Sequence, residues 1–187
     1  MSQKVPHEKS LRGDIAVDTI VQSFGQLVPT RIGLGANVRH RSVAALNRML
    51  AHTLLLRDLY KKSHWHTAGA TFYQLHLLFD RHAERQTALA DVLAERVQTL
   101  GGVSLALARD LAQESRLSRA SRDREAATAM LHHLCDAHEL ILVEARSLAR
   151  QAAEDGDDGT NDVLISEVVR TNELQCWFVA EHLGVTN

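Results

Sequence analysis

Cysteine, proline and aromatic side chains are scarce in this sequence of 187 residues. The two cysteines, Cys135 and Cys176, are too few and too far apart in sequence to predict a disulfide framework or a cysteine-based zinc site. No apolar run approaches the roughly 20 residues needed to cross a bilayer, so no membrane partner is expected. The first ten residues are polar and lack the pattern of a secretory signal, which predicts a cytoplasmic location.

Proline and glycine are also unevenly placed along the chain. Both prolines and four of the ten glycines precede residue 41, and no proline follows it. Beyond that point apolar residues recur at helical spacing, as Leu46, Leu50 and Leu54 do. The pattern predicts an all-α, antiparallel four-helix bundle with one long crossover. Its main helices are expected near residues 41–66, 72–100, 122–153 and 160–183, with a short extra helix between the second and the third.

The first part of the chain, residues 1–40, is predicted to form a flexible N-terminal arm ahead of a bundle domain at 41–187. The whole chain carries a net charge of −2, which argues against binding nucleic acid through overall charge. The arm holds five basic and three acidic residues, a net charge of +2. Many arms on one assembly could contact phosphates together. Each arm is so weakly basic, however, that tight DNA binding is not favoured.

The predicted second helix places four metal-ligand types on one face. Asp80, Asp91 and Glu95 lie about 40°, 60° and 100° around the helix axis from His76. Along the axis, the pair 76/80 and the pair 91/95 are about 20 Å apart, so one metal ion cannot touch both pairs in the same chain. Two copies of this helix packed antiparallel about a two-fold axis would bring opposite ends together and create two identical sites. The short turn after the first helix returns His64 to the same end as His76.

Two interpretations of this face stay open on spacing alone. Acidic and histidine residues on one helix face are often only a solvated surface. As a metal site, the mixture of imidazole and carboxylate suits Fe(II), and less decisively Mn or Zn. The Glu-x-x-His pattern of a di-iron site inside a single bundle is absent from the sequence, so an ordinary ferritin or rubrerythrin centre is not expected.

The block from residue 64 to residue 102 carries a specific set of motifs, namely His64-Trp65-His66-Thr67-Ala68-Gly69, Phe72, Leu75-His76, Phe79-Asp80, Asp91-x-x-Ala94-Glu95-Arg96 and Leu100-Gly101-Gly102. These motifs resemble the Dps family, the DNA-protecting mini-ferritins of the ferritin-like superfamily found in stressed bacteria. The resemblance extends over residues 41–183. It includes the acidic turn 155–162 and the Trp177-Phe178 pair near the C-terminus.

The resemblance implies a ferritin-like fold assembled into a hollow dodecameric shell, with ferroxidase sites at two-fold interfaces. Each site would oxidise two Fe(II) ions, preferably with hydrogen peroxide and otherwise with dioxygen, and the shell would store the ferric mineral. This activity protects the cell and its DNA from oxidative damage. By motif position the iron ligands are His64, His76, Asp80, Asp91 and Glu95. Trp65 and Lys61 stand where the family has an aromatic and a basic residue beside the site.

The sequence also departs from the family pattern. His66 stands where the family usually has asparagine, and His82 and His182 are further candidates for extra ligands. For each, the alternative is an exposed imidazole or one satisfied in the core. Zinc is expected as a competitor for a histidine-rich site. Asp136 lies near the position of the family's acidic iron-entry pore, although a solvated face explains it as well.

A second functional class stays open beside the ferroxidase. The shell could coat DNA or sequester another metal with little redox activity, and nucleoid association would follow if DNA is bound. The sequence does not discriminate between peroxide and dioxygen as the oxidant.

Overall fold

The computed structural model describes residues 19–184, and within them all regular structure is helical. The long helices are α1 (Ala36–His66), α2 (Phe72–Thr99) and α4 (Ala127–Glu154), with the short α3 (Ala108–Glu114) in the crossover. The fourth rod is made of α5 (Asp158–Asp162), a π-helical segment (Val163–Val169) and α6 (Arg170–Glu181). The predicted four-helix bundle with a short extra helix is therefore confirmed. No helix in residues 19–184 is long and apolar enough to span a membrane.

The core lies where the apolar stripes of the four rods meet. The buried residues include Leu46 and Leu50 of α1 and Leu75, Phe79 and Leu93 of α2, while α4 contributes Leu134 and Ile141 and the fourth rod contributes Leu164. Each of these side chains is at most 1% exposed, and burying one contributes on the order of 2 kcal/mol. Because the stripes recur every three or four residues, the rods have to lie side by side.

Two buried polar side chains of α1 hold the crossover against the bundle. The Asn47 amide donates to the carbonyl of Val103 and accepts from the backbone N–H of Leu105, both at 3.0 Å. His52, with no exposed surface, accepts the backbone N–H of Arg116 on Nε2 at 3.0 Å. The crossover therefore runs in a fixed position over α1 although it contains only the short α3.

A buried carboxylate fixes the turn between α4 and the fourth rod. Asp157 is 1% exposed and accepts from Ser42 Oγ at 2.6 Å, Arg96 Nη2 at 2.5 Å and Thr160 N at 3.0 Å. Burial by itself would raise the pKa of Asp157, but these hydrogen bonds and the guanidinium hold it below its ordinary value. A Cβ on Gly159 would lie 2.8 Å from Arg96 Nη2, so glycine gives the arginine room to reach the turn.

The predicted arm differs from the structure at its C-terminal part. α1 begins at Ala36, five residues before the predicted start, and the segment ahead of it contacts the end of α2. Val28 N donates to Gly101 O at 2.9 Å, and Arg39 Nη1 donates to the carbonyl of Val28 at 3.0 Å. Gly101 has φ of +83°, and a Cβ there would lie 2.5 Å from the Val28 carbonyl oxygen. The part of the predicted arm at residues 1–18 lies outside the described residues.

Candidate metal centre

His64 and His76 form a reciprocal pair across the turn between α1 and α2. His64 Nδ1 donates to the backbone carbonyl of His76 at 2.8 Å, and His76 Nδ1 donates to the carbonyl of His64 at 3.0 Å. The two rings stack with centroids 3.7 Å apart and an interplanar angle of 21°. A carbonyl oxygen can only accept, so both Nδ1 atoms carry the hydrogen, and the lone pair of each neutral imidazole is then on Nε2. Fixing one ring nitrogen on a carbonyl is how proteins orient imidazole for metal binding.

The turn that makes this pairing possible is short and closed by hydrogen bonds. Thr67 N donates to Ser63 O at 2.9 Å, which ends α1. Phe72 N donates to Gly69 O at 3.0 Å, and Gly69 has φ of +93°, a conformation that favours glycine. Because only five residues separate α1 from α2, the last turn of one helix lies against the first turn of the next.

Asp80, one turn beyond His76, brings a carboxylate to the same end of α2. Lys61 Nζ donates to Asp80 Oδ1 at 2.5 Å. This hydrogen bond is the main reason that the pKa of Asp80 lies below its ordinary value, and His64 and His76 add smaller contributions of the same sign. The carboxylate is therefore ionised at neutral pH and already has a cation beside it. The place of Lys61 beside a metal site stays a prediction, whereas its contact with Asp80 is present in the structure.

Asp91 and Glu95 lie at the far end of α2, exposed to solvent. The structure brings His64, His76 and Asp80 to one end and leaves these two carboxylates apart from them. Within residues 19–184 no three His, Cys, Asp or Glu side chains lie close enough to hold a metal ion in one chain. A site that combines the two groups across two subunits stays a prediction. Metal binding would require neutral imidazoles and ionised carboxylates.

Apolar side chains flank the histidine end without being covered. Trp65 is 67% exposed and Leu77 is 49% exposed, whereas Phe72 packs against His76 with ring centroids 5.1 Å apart. Large apolar side chains around a charged cluster are typical of a surface that another protein covers.

The extra histidine candidates occupy three different environments. His82 is in the bundle core, 6% exposed, where its Nδ1 bonds the hydroxyl of Tyr60 at 3.0 Å. Burial lowers the pKa of His82 to about 4. The alternative of an imidazole satisfied in the core therefore describes His82, and we do not treat it as a ligand. His66 ends α1 with a buried Nδ1 that has no hydrogen-bond partner, and His182 is exposed just after α6.

Asp136, the candidate pore residue, is exposed on the outer face of α4. It lines a mostly apolar cavity of about 540 Å³ together with Asp58, Lys62 and His133. The cavity lies between α1, the crossover and α4. The pore assignment stays a prediction, since a pore would require neighbouring subunits.

Sequence reasoning missed a hydrogen-bonded network in the bundle core. Tyr60 Oη lies 2.5 Å from His138 Nε2, and His138 Nδ1 lies 2.9 Å from Asn172 Oδ1. Neither Tyr60 nor His138 has any exposed surface. A signal was present in the sequence, because His138 falls on the apolar stripe of α4 between Leu134 and Ile141.

Comparisons with known proteins agree with this fold. A ferritin-like domain model matches residues 43–187. DpsC from Streptomyces coelicolor is 51% identical, covering 90% of this chain and 98% of its own, with a TM-score of 0.88. Dps from Thermosynechococcus elongatus is 31% identical over 81% and 98% of the two chains, with a TM-score of 0.75. A Synechococcus relative named nutrient stress-induced DNA-binding protein is 34% identical over 88% of this chain and 93% of its own. The chain therefore belongs to the Dps branch of the ferritin-like family.

Proposed function

We propose that this protein is a ferroxidase that works as a dodecameric shell and stores the iron it oxidises. Two subunits would pack their α2 helices antiparallel, so that His64, His76 and Asp80 of one face Asp91 and Glu95 of the other. Two irons would bind at each such site. The observation that carries the proposal is the reciprocal pairing of His64 and His76, which leaves both Nε2 atoms free beside the Asp80 carboxylate.

The shape of α2 supports a shared site. The two ligand groups are about 20 Å apart along one helix, too far to act on a single iron pair within a chain. A two-fold axis between them converts this separation into two complete sites. The uncovered Trp65 and Leu77 would be buried in the same interface. When Fe(II) binds, the hydrogen bond between Lys61 and Asp80 would break. The iron ion would then replace the ammonium group as the neighbouring cation, so the carboxylate would stay ionised throughout.

The proposed reaction takes one electron from each of two Fe(II) ions. One hydrogen peroxide accepts both electrons with two protons and becomes two water molecules, leaving two Fe(III). Two-electron reduction of peroxide avoids release of the hydroxyl radical. Dioxygen is the alternative oxidant, and zinc would compete for the same imidazoles and carboxylates.

Mixed shells test whether one site takes ligands from two chains. His76→Ala and Asp91→Ala each remove a ligand, and each should slow Fe(II) oxidation at least about tenfold, the loss typical even of changes behind a ligand. In shells mixed in equal amounts, about a quarter of the sites pair an intact histidine end with an intact carboxylate end, by random choice of subunits at a two-fold interface. Activity should therefore recover to about a quarter of the unmodified value.

The control variant is Glu139→Ala, which removes an exposed carboxylate of α4 and should leave Fe(II) oxidation unchanged. Subunit exchange is verified by native mass spectrometry of the mixed shells. If exchanged shells recover nothing, the shared site is wrong.

Protection of DNA by direct coating is the second candidate, supported by the name of the Synechococcus relative. Three of the five basic residues of the predicted arm, Lys4, Lys9 and Arg12, lie in residues 1–18 of this chain. Sequestration of another metal without oxidation is distinguished by the same iron assay, because such a shell binds metal but does not consume peroxide.

A further inference from the structure

Tyr60 lies in the core of the bundle, where its hydroxyl contacts two histidines. Its hydroxyl is 2.5 Å from His138 Nε2 and 3.0 Å from His82 Nδ1, and it has no exposed surface. Burial raises the pKa of Tyr60 well above its ordinary value, so the phenol is protonated. A buried phenol that loses an electron also has to lose its proton, and within residues 19–184 the side chains that hydrogen-bond the Tyr60 hydroxyl are the imidazoles of His138 and His82.

The tautomer of His138 is set by the amide of Asn172. Asn172 Nδ2 donates to the carbonyl of Val168 at 2.7 Å, which points its Oδ1 at His138 Nδ1. Nδ1 therefore carries the hydrogen, and Nε2 accepts from the Tyr60 hydroxyl. Burial lowers the pKa of His138 to about 3, with the neighbouring His82 acting in the same direction, so the ring is neutral. The structure thus holds a neutral base against the phenol.

Tyr60 is also close to the candidate iron site. It lies one turn before His64 on α1, an axial distance of about 6 Å. Its ring packs against Phe79, the residue before Asp80, with centroids 6.1 Å apart. Tyr60 therefore lies in the core directly beneath the helix turns that carry the candidate ligands His64 and Asp80.

The two cysteines of the chain lie together on the other side of the network. Cys135 precedes His138 by one turn of α4, and Cys176 follows Asn172 by one turn of α6, so the antiparallel helices bring both to one level. The hydrogen bond between His138 and Asn172 fixes this register of the two helices, and each thiol affects the pKa of the other. Burial raises the pKa of both thiols, that of Cys135 to about 11. Protonated thiols react slowly with peroxide directly, which favours another route of oxidation.

We propose that Tyr60 and His138 form a proton-coupled relay that passes stray oxidising equivalents from the iron site to Cys135 and Cys176, which become a disulfide. The proposal rests on the ferroxidase function. An Fe(II) ion that meets peroxide without a second iron gives Fe(III), hydroxide and a hydroxyl radical. The radical takes one electron, ultimately from Tyr60, and becomes hydroxide, while the phenol proton moves to His138 Nε2.

The thiols then restore the relay. One thiol returns an electron to Tyr60, whose proton comes back from His138, and the thiol loses its own proton to the hydroxide. A second hydroxyl radical leads to oxidation of the other thiol by the same steps, and the two sulfur radicals join in an S–S bond. In total, two Fe(II), two peroxides and two thiols give two Fe(III), two hydroxides, two waters and one disulfide. The shell would be spared random damage until its dithiol is spent.

The chain offers a matched pair of variants, because Tyr60 and Tyr73 are its only tyrosines and Tyr73 is 68% exposed. Assembled shells receive Fe(II) below one ion per site and then peroxide. Freeze-quenched samples are examined for a tyrosyl radical by electron paramagnetic resonance, and free thiols are counted after denaturation, with intact mass showing the loss of two hydrogens. The radical and the disulfide should appear in the unmodified protein and in Tyr73→Phe. Both should be lost in Tyr60→Phe.

Further experiments test the proposal even if the Tyr60→Phe variant fails to assemble. In Cys135→Ser and Cys176→Ser shells the radical should persist several times longer, because its electron donor is incomplete. Peroxide without iron should leave both thiols free. The relay is overturned if iron is oxidised normally while the thiols stay free, or if the disulfide forms equally fast in Tyr60→Phe or without iron. Failure to oxidise iron at all overturns the proposed function and the relay with it.

Discussion

Acidification from pH 7 to pH 5 is expected to remove about 6 kcal/mol from the free energy of unfolding, well before the carboxylates titrate. Three histidines cause this effect, because each is buried as a neutral imidazole. His52 and His138 have no exposed surface, and His82 is 6% exposed. Burial lowers the pKa to about 4 for His52 and His82 and to about 3 for His138, from an ordinary value of 6.5.

The sign and size follow from proton linkage. In the unfolded chain these rings take up protons below pH 6.5, whereas in the folded bundle they stay neutral down to about pH 4. The unfolded state therefore binds more protons, and stability falls as the pH falls through this window. At pH 5, about 1.5 pH units below the ordinary value, each ring costs about 2 kcal/mol. Glu144 beside His52 raises its pKa and so offsets part of the effect of burial, whereas Arg48 and Arg116 lower the pKa of His52 further.

The measurement is denaturant unfolding followed by circular dichroism at several pH values, at fixed protomer concentration because assembly contributes to stability. The slope near pH 5 should correspond to uptake of nearly three protons on unfolding, by linkage. His138→Gln should remove about one of them, whereas His132→Gln, an exposed neighbour on α4, should leave the slope unchanged. A drop below about 2 kcal/mol between pH 7 and pH 5, or equal slopes for the two variants, would refute the reasoning.

Two further predictions concern DNA and zinc. Deletion of residues 1–18 spares the segment that bonds Gly101 and should leave Fe(II) oxidation intact. The deletion should also abolish any salt-sensitive retardation of DNA in gels. Retardation that survives the deletion would show that DNA binds to another surface. If His66 or His182 binds metal, zinc should inhibit Fe(II) oxidation strongly, and His66→Asn or His182→Asn should relieve the inhibition in assembled shells. Unchanged inhibition constants in both variants would show that neither histidine is a ligand.

Helical periodicity was sufficient to predict the four rods to within about five residues, but not their ends. The sequence suggested a start of α1 near residue 41 because glycines cluster before it, whereas the helix begins directly after Gly35. Arg39 explains the difference, since its side chain is buried and bonds the carbonyls of Val28 and Leu100. The predicted start of α4 was early by five residues because the polar segment 122–126 is tied to α1, with Lys62 donating to Asp123 O at 3.1 Å, instead of being helical.

The candidate site was partly predictable for a geometric reason. Helical spacing alone places Asp80 near His76 and separates both from Asp91 and Glu95, and the structure has that arrangement. Spacing could not show that His64 and His76 fix each other through their backbone carbonyls, because that depends on the exact path of a five-residue turn. It also could not separate His82 from His66, since burial of one imidazole depends on residues of three other helices.

The buried hydrogen-bonded network of Tyr60, His138 and Asn172 is not required by the fold itself. Apolar residues of similar volume at positions 60 and 138 would continue the stripes of α1 and α4, and such replacements of buried polar groups are often neutral or stabilising. A half-satisfied network, in contrast, costs about 1–3 kcal/mol for each orphaned group. Here Tyr60, His138 and Asn172 are all paired, so the network is a complete structure placed one helical turn from the candidate iron ligand His64. Packing alone gives no reason for a phenol and a neutral imidazole to meet at that point with two thiols one helical turn away, whereas the proposed disposal of oxidising equivalents does.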